Sequence, residues 1–266
     1  MDKQVTHVFE LDQPNIQTMP FVFSSPHSGR NYQDSFITTS KLDSLTLRRS
    51  EDSFVDDLYA EAPNCGAPFL KALFPRAYLD PNREAYELDQ RMFLEPLPNF
   101  VNTTSPRVLA GLGTLPRVIA NGDEIYKDKL RFKEAKHRID TFYFPYHSVL
   151  KDLIKKTKLK FGKCILIDCH SMPSSVEVNC SKNIDIVLGN KHGKTCANEL
   201  IQFVENHLKE LGFTVSRNHP YAGGYTTKHY GDPSNNIHAL QIEISRANYM
   251  NEKTITRKAE FEIMKN

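Results

Sequence analysis

Two histidines in this chain sit where a short apolar run stops. His27 follows Phe21-Val22-Phe23-Ser24-Ser25-Pro26, and His170 follows Cys164-Ile165-Leu166-Ile167-Asp168-Cys169. Each run reads as a strand, and in an open parallel sheet ligands bind beyond the carboxyl ends of the strands. A neutral imidazole is a common zinc ligand, and a hydrolytic zinc site takes three protein ligands and leaves one position open. One strand-end histidine is usually structural. Two of them, with the acidic pair Glu51 and Asp52 close enough in chain order to reach the same edge, make a metal site a serious alternative to a structural role.

Further polar residues cluster in short stretches. Phe74 to Arg83 carries Arg76, Asn82 and Arg83 around Pro81. Arginine forks suit bidentate carboxylate binding, and an arginine beside a polarised carbonyl can stabilise an oxyanion. Surface salt bridging is the ordinary alternative, but a rigid turn holds donors in place. Glu243 lies between Ile242 and Ile244 on an expected interior strand. Desolvation there raises a carboxyl pKa toward the range of a general base; the competing reading pairs it with a structural arginine such as Arg246. Asn218 to Gly231 is a loop in which Gly223 and Gly224 permit close backbone approach to a ligand, or simply form a flexible turn. Cys169 adjoins His170, so on a strand it points to the opposite face and belongs in the core. No nucleophile elbow or phosphate-binding glycine loop is present. His137, His147, His192 and His207 fall on helix or loop patterns and are expected to be solvated.

The elements that must position these groups alternate. Strands are expected at 21–25, 69–74, 77–79, 164–169, 184–188, 213–215 and 240–245. Ser50 is placed to cap a helix that carries Phe54, Val55, Leu58 and Tyr59, with Glu51 and Asp52 in its first turn. Residues 125–160 read as a long basic helical region with a break near Pro145. Residues 195–211 read as an amphipathic helix closed by Gly212, and 251–265 as one more helix. Such alternation predicts an α/β fold with a mostly parallel sheet, in one domain over 1–266. Residues 94–122, with four prolines, read as a long loop or lid.

Composition narrows the function classes. The chain has 266 residues, 34 Lys+Arg and 32 Asp+Glu, and hence a net charge of +2. That balance argues against nucleic acid or an anionic membrane as partner, and the basic run 151–163 is expected to be a solvated helix face. Apolar residues are 39% and charged residues 25%, as in ordinary globular chains. Five cysteines are an odd number and too few for a disulfide scaffold, so a cytoplasmic setting is expected. The first residues lack the pattern of a secretory signal, no apolar run is long enough to span a bilayer, and no oligomeric state is implied.

In sequence order, Ser-Pro-His-Ser-Gly at 25–29, Arg-Arg-Ser-Glu-Asp-Ser-Phe-Val-Asp-Asp-Leu-Tyr at 48–59 and Phe-Pro-Arg-Ala-Tyr-Leu-Asp-Pro-Asn-Arg at 74–83 resemble the N-formylglutamate amidohydrolases. So do Asp-Cys-His-Ser-Met-Pro at 168–173, Asp-Ile-Val-Leu-Gly at 185–189, Asn-His-Pro-Tyr-Ala-Gly-Gly at 218–224 and Leu-Gln-Ile-Glu-Ile-Ser-Arg at 240–246. The resemblance implies an α/β/α sandwich of the zinc-carboxypeptidase-like (phosphorylase/hydrolase-like) type, with a mixed sheet between helices. It implies hydrolysis of N-formyl-L-glutamate to formate and L-glutamate, a late step of histidine degradation, on a small dianionic substrate. Position by position, it implies His27, His170 and Asp52 as ligands of Zn2+ or another divalent metal, with Glu51 the alternative acidic ligand. Arg76 is then the oxyanion arginine and Glu243 the general base. Asn82 with Arg83 holds one substrate carboxylate, and Arg246 the second. The short His-x-x-Glu ligand spacing of carboxypeptidases is absent, because Arg30 stands three residues after His27.

Overall fold

The computed structural model describes residues 2–5, 7–119, 121–174 and 184–265. One sheet runs through it, built from β1 (Asp2–Val5), β2 (Phe9–Gln13), β3 (Phe21–Ser25), β4 (Phe69–Ala72), β5 (Cys164–Met172), β6 (Ile186–Gly189), β7 (Val215–Arg217) and β8 (Ile237–Ser245). The strand order is β1-β2-β4-β3-β5-β8-β6-β7. The central four, β4, β3, β5 and β8, are mutually parallel. β2 joins β4 and β6 joins β8 in antiparallel pairs. The fold is therefore mixed α/β with a mostly parallel sheet flanked by helices, as the alternation of patterns predicts.

The centre of the sheet explains why β5 is the plainest strand in the sequence. All nine of its residues are buried, because both faces of the sheet are covered. Cys164 and Leu166 pack with Leu150, Leu153 and Ile154 of the helix Phe144–Phe161. Ile165, Ile167 and Cys169 pack on the other side with Ile201 of the helix Asn198–Glu210 and with Val55, Leu58 and Phe261. Each leucine or isoleucine so buried contributes roughly 1.5–3 kcal/mol. Cys169 thus sits in the core, turned away from the face that carries His170, as period-two alternation requires.

Several local expectations give way to tertiary demands. Residues 77–79 form no strand; Tyr78 and Leu79 donate backbone N–H groups to the Pro75 carbonyl in a tight turn. The hairpin of β1 and β2 at the sheet edge has no counterpart in the sequence reading. No helix starts at Ser50, whose hydroxyl donates to the Leu47 carbonyl. The helix is only Val55–Leu58, entered through Phe54 at φ 67°. Residues 125–131 are not helical, and the helix starts at Phe132. Pro145 does not break it, because the π turn Ile139–Tyr143 lies directly before and opens the ladder where proline lacks a donor. Residues 251–265 begin with a small hairpin and hold a helix only over Phe261–Lys265. The strand expected at 213–215 lies two residues later, at β7. The basic run on Phe144–Phe161 does form a solvated face, with Lys151, Lys155 and Lys156 exposed. Among the described residues no helix is long and apolar enough to cross a membrane.

Candidate active site

Strands β5 and β8 lie side by side in register, with Asp168 opposite Gln241 and His170 opposite Glu243. Residues two apart on a strand share a face. Four polar side chains thus stand together at the carboxyl end of the central strands, on the face that carries the helix Phe144–Phe161. His27, just past β3, joins them, and its ring centroid lies 4.7 Å from that of His170. Asp52 arrives from the loop that replaces the expected helix start. Its backbone N–H donates to the His27 carbonyl at 3.0 Å. This bond turns the Asp52 carboxylate inward.

The three side chains meet at one point. Asp52 Oδ2 lies 2.9 Å from His170 Nδ1 and 3.3 Å from His27 Nδ1. All three residues are buried, and their candidate ligand atoms lie within 4.8 Å of one another. Glu51 faces elsewhere. Its carboxylate accepts from Tyr32 Oη at 2.9 Å, Arg48 Nε at 3.1 Å and Ser53 Oγ at 2.7 Å. Of the two acidic candidates, only Asp52 shares a centre with the histidines.

Both histidines are backed in the manner of metal ligands. His27 Nε2 donates to Asp80 Oδ1 at 2.7 Å. His170 Nε2 lies 3.1 Å from Asp168 Oδ2 and 3.1 Å from Asn82 Nδ2. A carboxylate on one ring nitrogen fixes the tautomer and leaves the lone pair of the other nitrogen free for a metal. His27 Nδ1 is indeed buried with no hydrogen-bond partner. An orphaned acceptor beside a carboxylate and a second imidazole suits a divalent cation of borderline softness, zinc above all. Electrostatics agree. Burial opposes the charge on Asp52, but the hydrogen bond from His170 and the closeness of both imidazoles hold its pKa well below the usual carboxylate range. Burial likewise opposes the charge on His170, and Asp168 and Asp52 override it to raise its pKa. The surroundings thus favour positive charge at this centre, and a metal ion would supply it by displacing protons from its ligands. Asp168→Asn should lower metal affinity about 10- to 100-fold, read by titrating the loaded chain with a chelator of known affinity. Unchanged affinity would reduce Asp168 to packing.

Asp80 and Asp168 were missed by sequence reasoning, although the i, i+2 spacing of Asp168 and His170 carried a signal. The sequence-predicted arginines are all present and largely engaged with protein. Arg76 Nη2 donates to Asp80 Oδ2 at 2.9 Å, and its Nη1 lies 4.0 Å from Asp52. Arg246 bonds Asp52 Oδ1 at 3.0 Å, Ser171 Oγ at 3.2 Å and the Arg49 carbonyl at 3.3 Å. Arg83 donates to the carbonyls of Asn82 and Leu112. Asn82 donates to Asp168 Oδ2 at 3.3 Å and accepts the Thr226 N–H at 2.8 Å. That last bond needs Gly224, because a Cβ there would lie 2.3 Å from the Asn82 amide.

His147 is a correction. It is buried rather than solvated, because the Pro81 carbonyl and the Tyr230 hydroxyl each bond one of its ring nitrogens at 2.8 Å. Burial pushes its pKa down to about 4, so it stays neutral and braces the 80–83 turn from behind. Glu243 is buried with Gln241 Nε2 donating to it at 2.8 Å. Burial pushes its pKa up to about 7, helped by Asp52 and opposed by His170, Arg76 and Arg246.

These groups open onto a cavity of about 390 Å3. The proline-rich stretch supplies part of its wall through Leu112, Pro116, Val118 and Ile119, and the glycine loop through Tyr221 to Gly224. A site with a metal-competent centre, a buried carboxyl titrating near neutrality and several cations can polarise a carbonyl, move a proton and bind an anion.

Residues 19–250 match a family model described as N-formylglutamate amidohydrolase. The N-formylglutamate deformylase of Pseudomonas putida is 26% identical over 238 residues, covering 88% of this chain and 83% of that protein. That of Pseudomonas aeruginosa is 25% identical over 239 residues, with 88% and 84% covered. The crystal structure of N-formylglutamate amidohydrolase from Ralstonia eutropha JMP134 superposes with a TM-score of 0.91 at 33% identity, covering 98% of this chain and 94% of that one. A gene product of Agrobacterium tumefaciens, at 18% identity and a TM-score of 0.67, shares the fold.

Proposed function

The chain belongs to the N-formylglutamate amidohydrolase family, and on that premise we propose that it hydrolyses N-formyl-L-glutamate to formate and L-glutamate. The observation that carries this reading is the convergence of His27, Asp52 and His170 on one point, with Glu243 on the neighbouring strand and the same cavity around all four. His27, Asp52 and His170 would hold a divalent metal, zinc by preference. Such an ion supplies a Lewis acid for a carbonyl oxygen and raises the acidity of water.

The chain's own groups account for the rest. Glu243 accepts a proton from the attacking water and returns it to the leaving nitrogen as the formyl C–N bond breaks. Its pKa near neutrality suits both transfers. Arg76 faces the same cavity and bears part of the charge that develops on the formyl oxygen. Asn82 fixes the turn against His170. Arg83 and Arg246 line the same cavity and would offer any N–H not engaged with protein to a substrate carboxylate. The reaction suits a degradative role, because an N-formyl group is removed and free glutamate results. By the resemblance to its family, that reaction would be a late step of histidine breakdown.

The test is metal analysis of the purified chain together with formate release. N-formyl-, N-acetyl- and N-succinyl-glutamate are compared side by side. Bound metal and a strong preference for the formyl substrate are expected. Faster turnover of a larger acyl group would make the chain a hydrolase of another N-acyl amino acid.

A further inference from the structure

The proposed reaction leaves part of the cavity wall unused. Lys191 stands on the turn after β6, and Arg107 on the short helix Pro106–Leu109. Both line the cavity. Neither is ion-paired among the described residues, unlike Arg76 and Arg246, whose charges are met by Asp80 and Asp52. Burial lowers the Lys191 pKa, and the nearby cations Arg107, Lys228 and Arg83 lower it further. Arg107 acts on Arg83 in the same sense. Lys191, Arg107 and Arg83 all line this cavity, and among the described residues no carboxylate pairs with Lys191. A concave wall with uncompensated like charge attracts an anion.

Lys191 is held there by construction. Its backbone adopts φ 51°, uncommon for a residue with a side chain. The Lys191 N–H donates to the Ala222 carbonyl at 2.7 Å. Asn218 Oδ1 accepts from the N–H groups of Asn190 and His192 at 3.0 and 3.2 Å, clamping the turn on both sides. Its stem runs beside Gly223, where an added Cβ would lie 3.5 Å from Lys191 Cγ and Cε. Gly189 permits this approach of the two loops, since a Cβ there would meet the Gly223 nitrogen at 2.7 Å.

We propose that Lys191 and Arg107 form the seat for the side-chain carboxylate of the substrate and set the preference for a dicarboxylate. This rests on the amidohydrolase reading and names what selects its substrate. Lys191 and Arg107 line the same cavity as the metal-competent residues without belonging to that group, as a substrate requires whose second carboxylate is joined to its amide through a short aliphatic chain.

The experiment uses the metal-loaded full chain and the variants Lys191→Gln, Arg107→Gln and both together, with Lys191→Arg as the conservative control. Glutamine at 191 keeps the stem on Gly223, and Arg107 is exposed, so folding is not at stake. The ratio of kcat/KM for N-formyl-L-glutamate over N-formyl-L-glutamine should fall about 10- to 100-fold in each single variant, chiefly through KM for the glutamate substrate. Lys191→Arg should keep most of the ratio. Calorimetry with L-glutamate and L-glutamine reads the same preference without turnover. If the double variant keeps the ratio and the binding preference of the wild type, the seat is wrong while the amidohydrolase reading stands. If the wild type prefers glutamate in binding and the variants lose that preference, but N-formylglutamate is not hydrolysed, the seat stands and the reading falls. A wild type with no preference in either assay overturns the seat.

Discussion

His170→Ala should abolish metal binding and lower kcat/KM on N-formylglutamate by on the order of 1,000-fold or more. The size follows from chemistry. A metal ion supplies several kcal/mol of transition-state charge stabilisation, and each 1.36 kcal/mol is tenfold in rate. The loss should not stop at catalysis. His170 Nδ1 meets Asp52 and Nε2 meets Asp168, and all three groups are buried. Removing the imidazole leaves two buried carboxylates each short of a partner, and breaking a buried pair costs about 3–5 kcal/mol. A lower melting temperature should therefore accompany the loss of metal. His170→Gln separates the two effects, because an amide can still donate to one carboxylate. It should melt closer to the wild type and remain inactive. Metal content is the deciding measurement, taken beside activity and circular dichroism. Full metal content with full activity in His170→Ala would show that the centre lies elsewhere.

How far the site could be read from residues alone depends on the distance over which each contact acts. His170, Glu243 and the burial of Cys169 were legible because β5 and β8 are long, apolar and interior, and period-two alternation then assigns faces. The same alternation would have exposed Asp168 as the partner of His170. Asp52 was legible as a residue type but not in its setting. Ser50-Glu51-Asp52 carries the local signal of a helix start, and the bond from the Asp52 N–H to the His27 carbonyl overrides it. Asp80 was hidden because its link to His27 spans 53 residues. His147 looked solvated because its donor's partner, the Pro81 carbonyl, lies in a distant turn. Lys191 and Arg107 were hidden for the same reason. Their loops share a wall only once Gly189 and Gly223 bring the chain together. Local patterns place strands and faces; which loops meet is settled by packing.

Glu243→Gln tests the other half of the site, and it should separate proton transfer from metal binding. Among the described residues Glu243 makes no hydrogen bond or ion pair to His27, Asp52 or His170, so metal content should match the wild type while kcat falls about 1,000-fold, the scale of a lost general base. Wild-type kcat/KM should rise with pH along an acidic limb as Glu243 loses its proton, and the variant should lack that limb. Without a cation the carboxyl titrates at about 7; a cation bound nearby favours the carboxylate, so the limb lies below that value. Stability should move the other way. The folded pKa is raised above the ordinary value of 4.5, so the native state binds the proton more tightly. Stability from this group is present below the unfolded pKa and is lost as pH rises toward 7. Glutamine carries no such cost, so the variant should melt at or above the wild-type temperature at pH 8. A purely structural glutamate, paired with Arg246 and Arg76, predicts the reverse: a lower melting temperature with activity largely kept. The burial that makes Glu243 a usable base at neutral pH is the same burial that makes its charge costly to the fold, and a single variant reads both consequences.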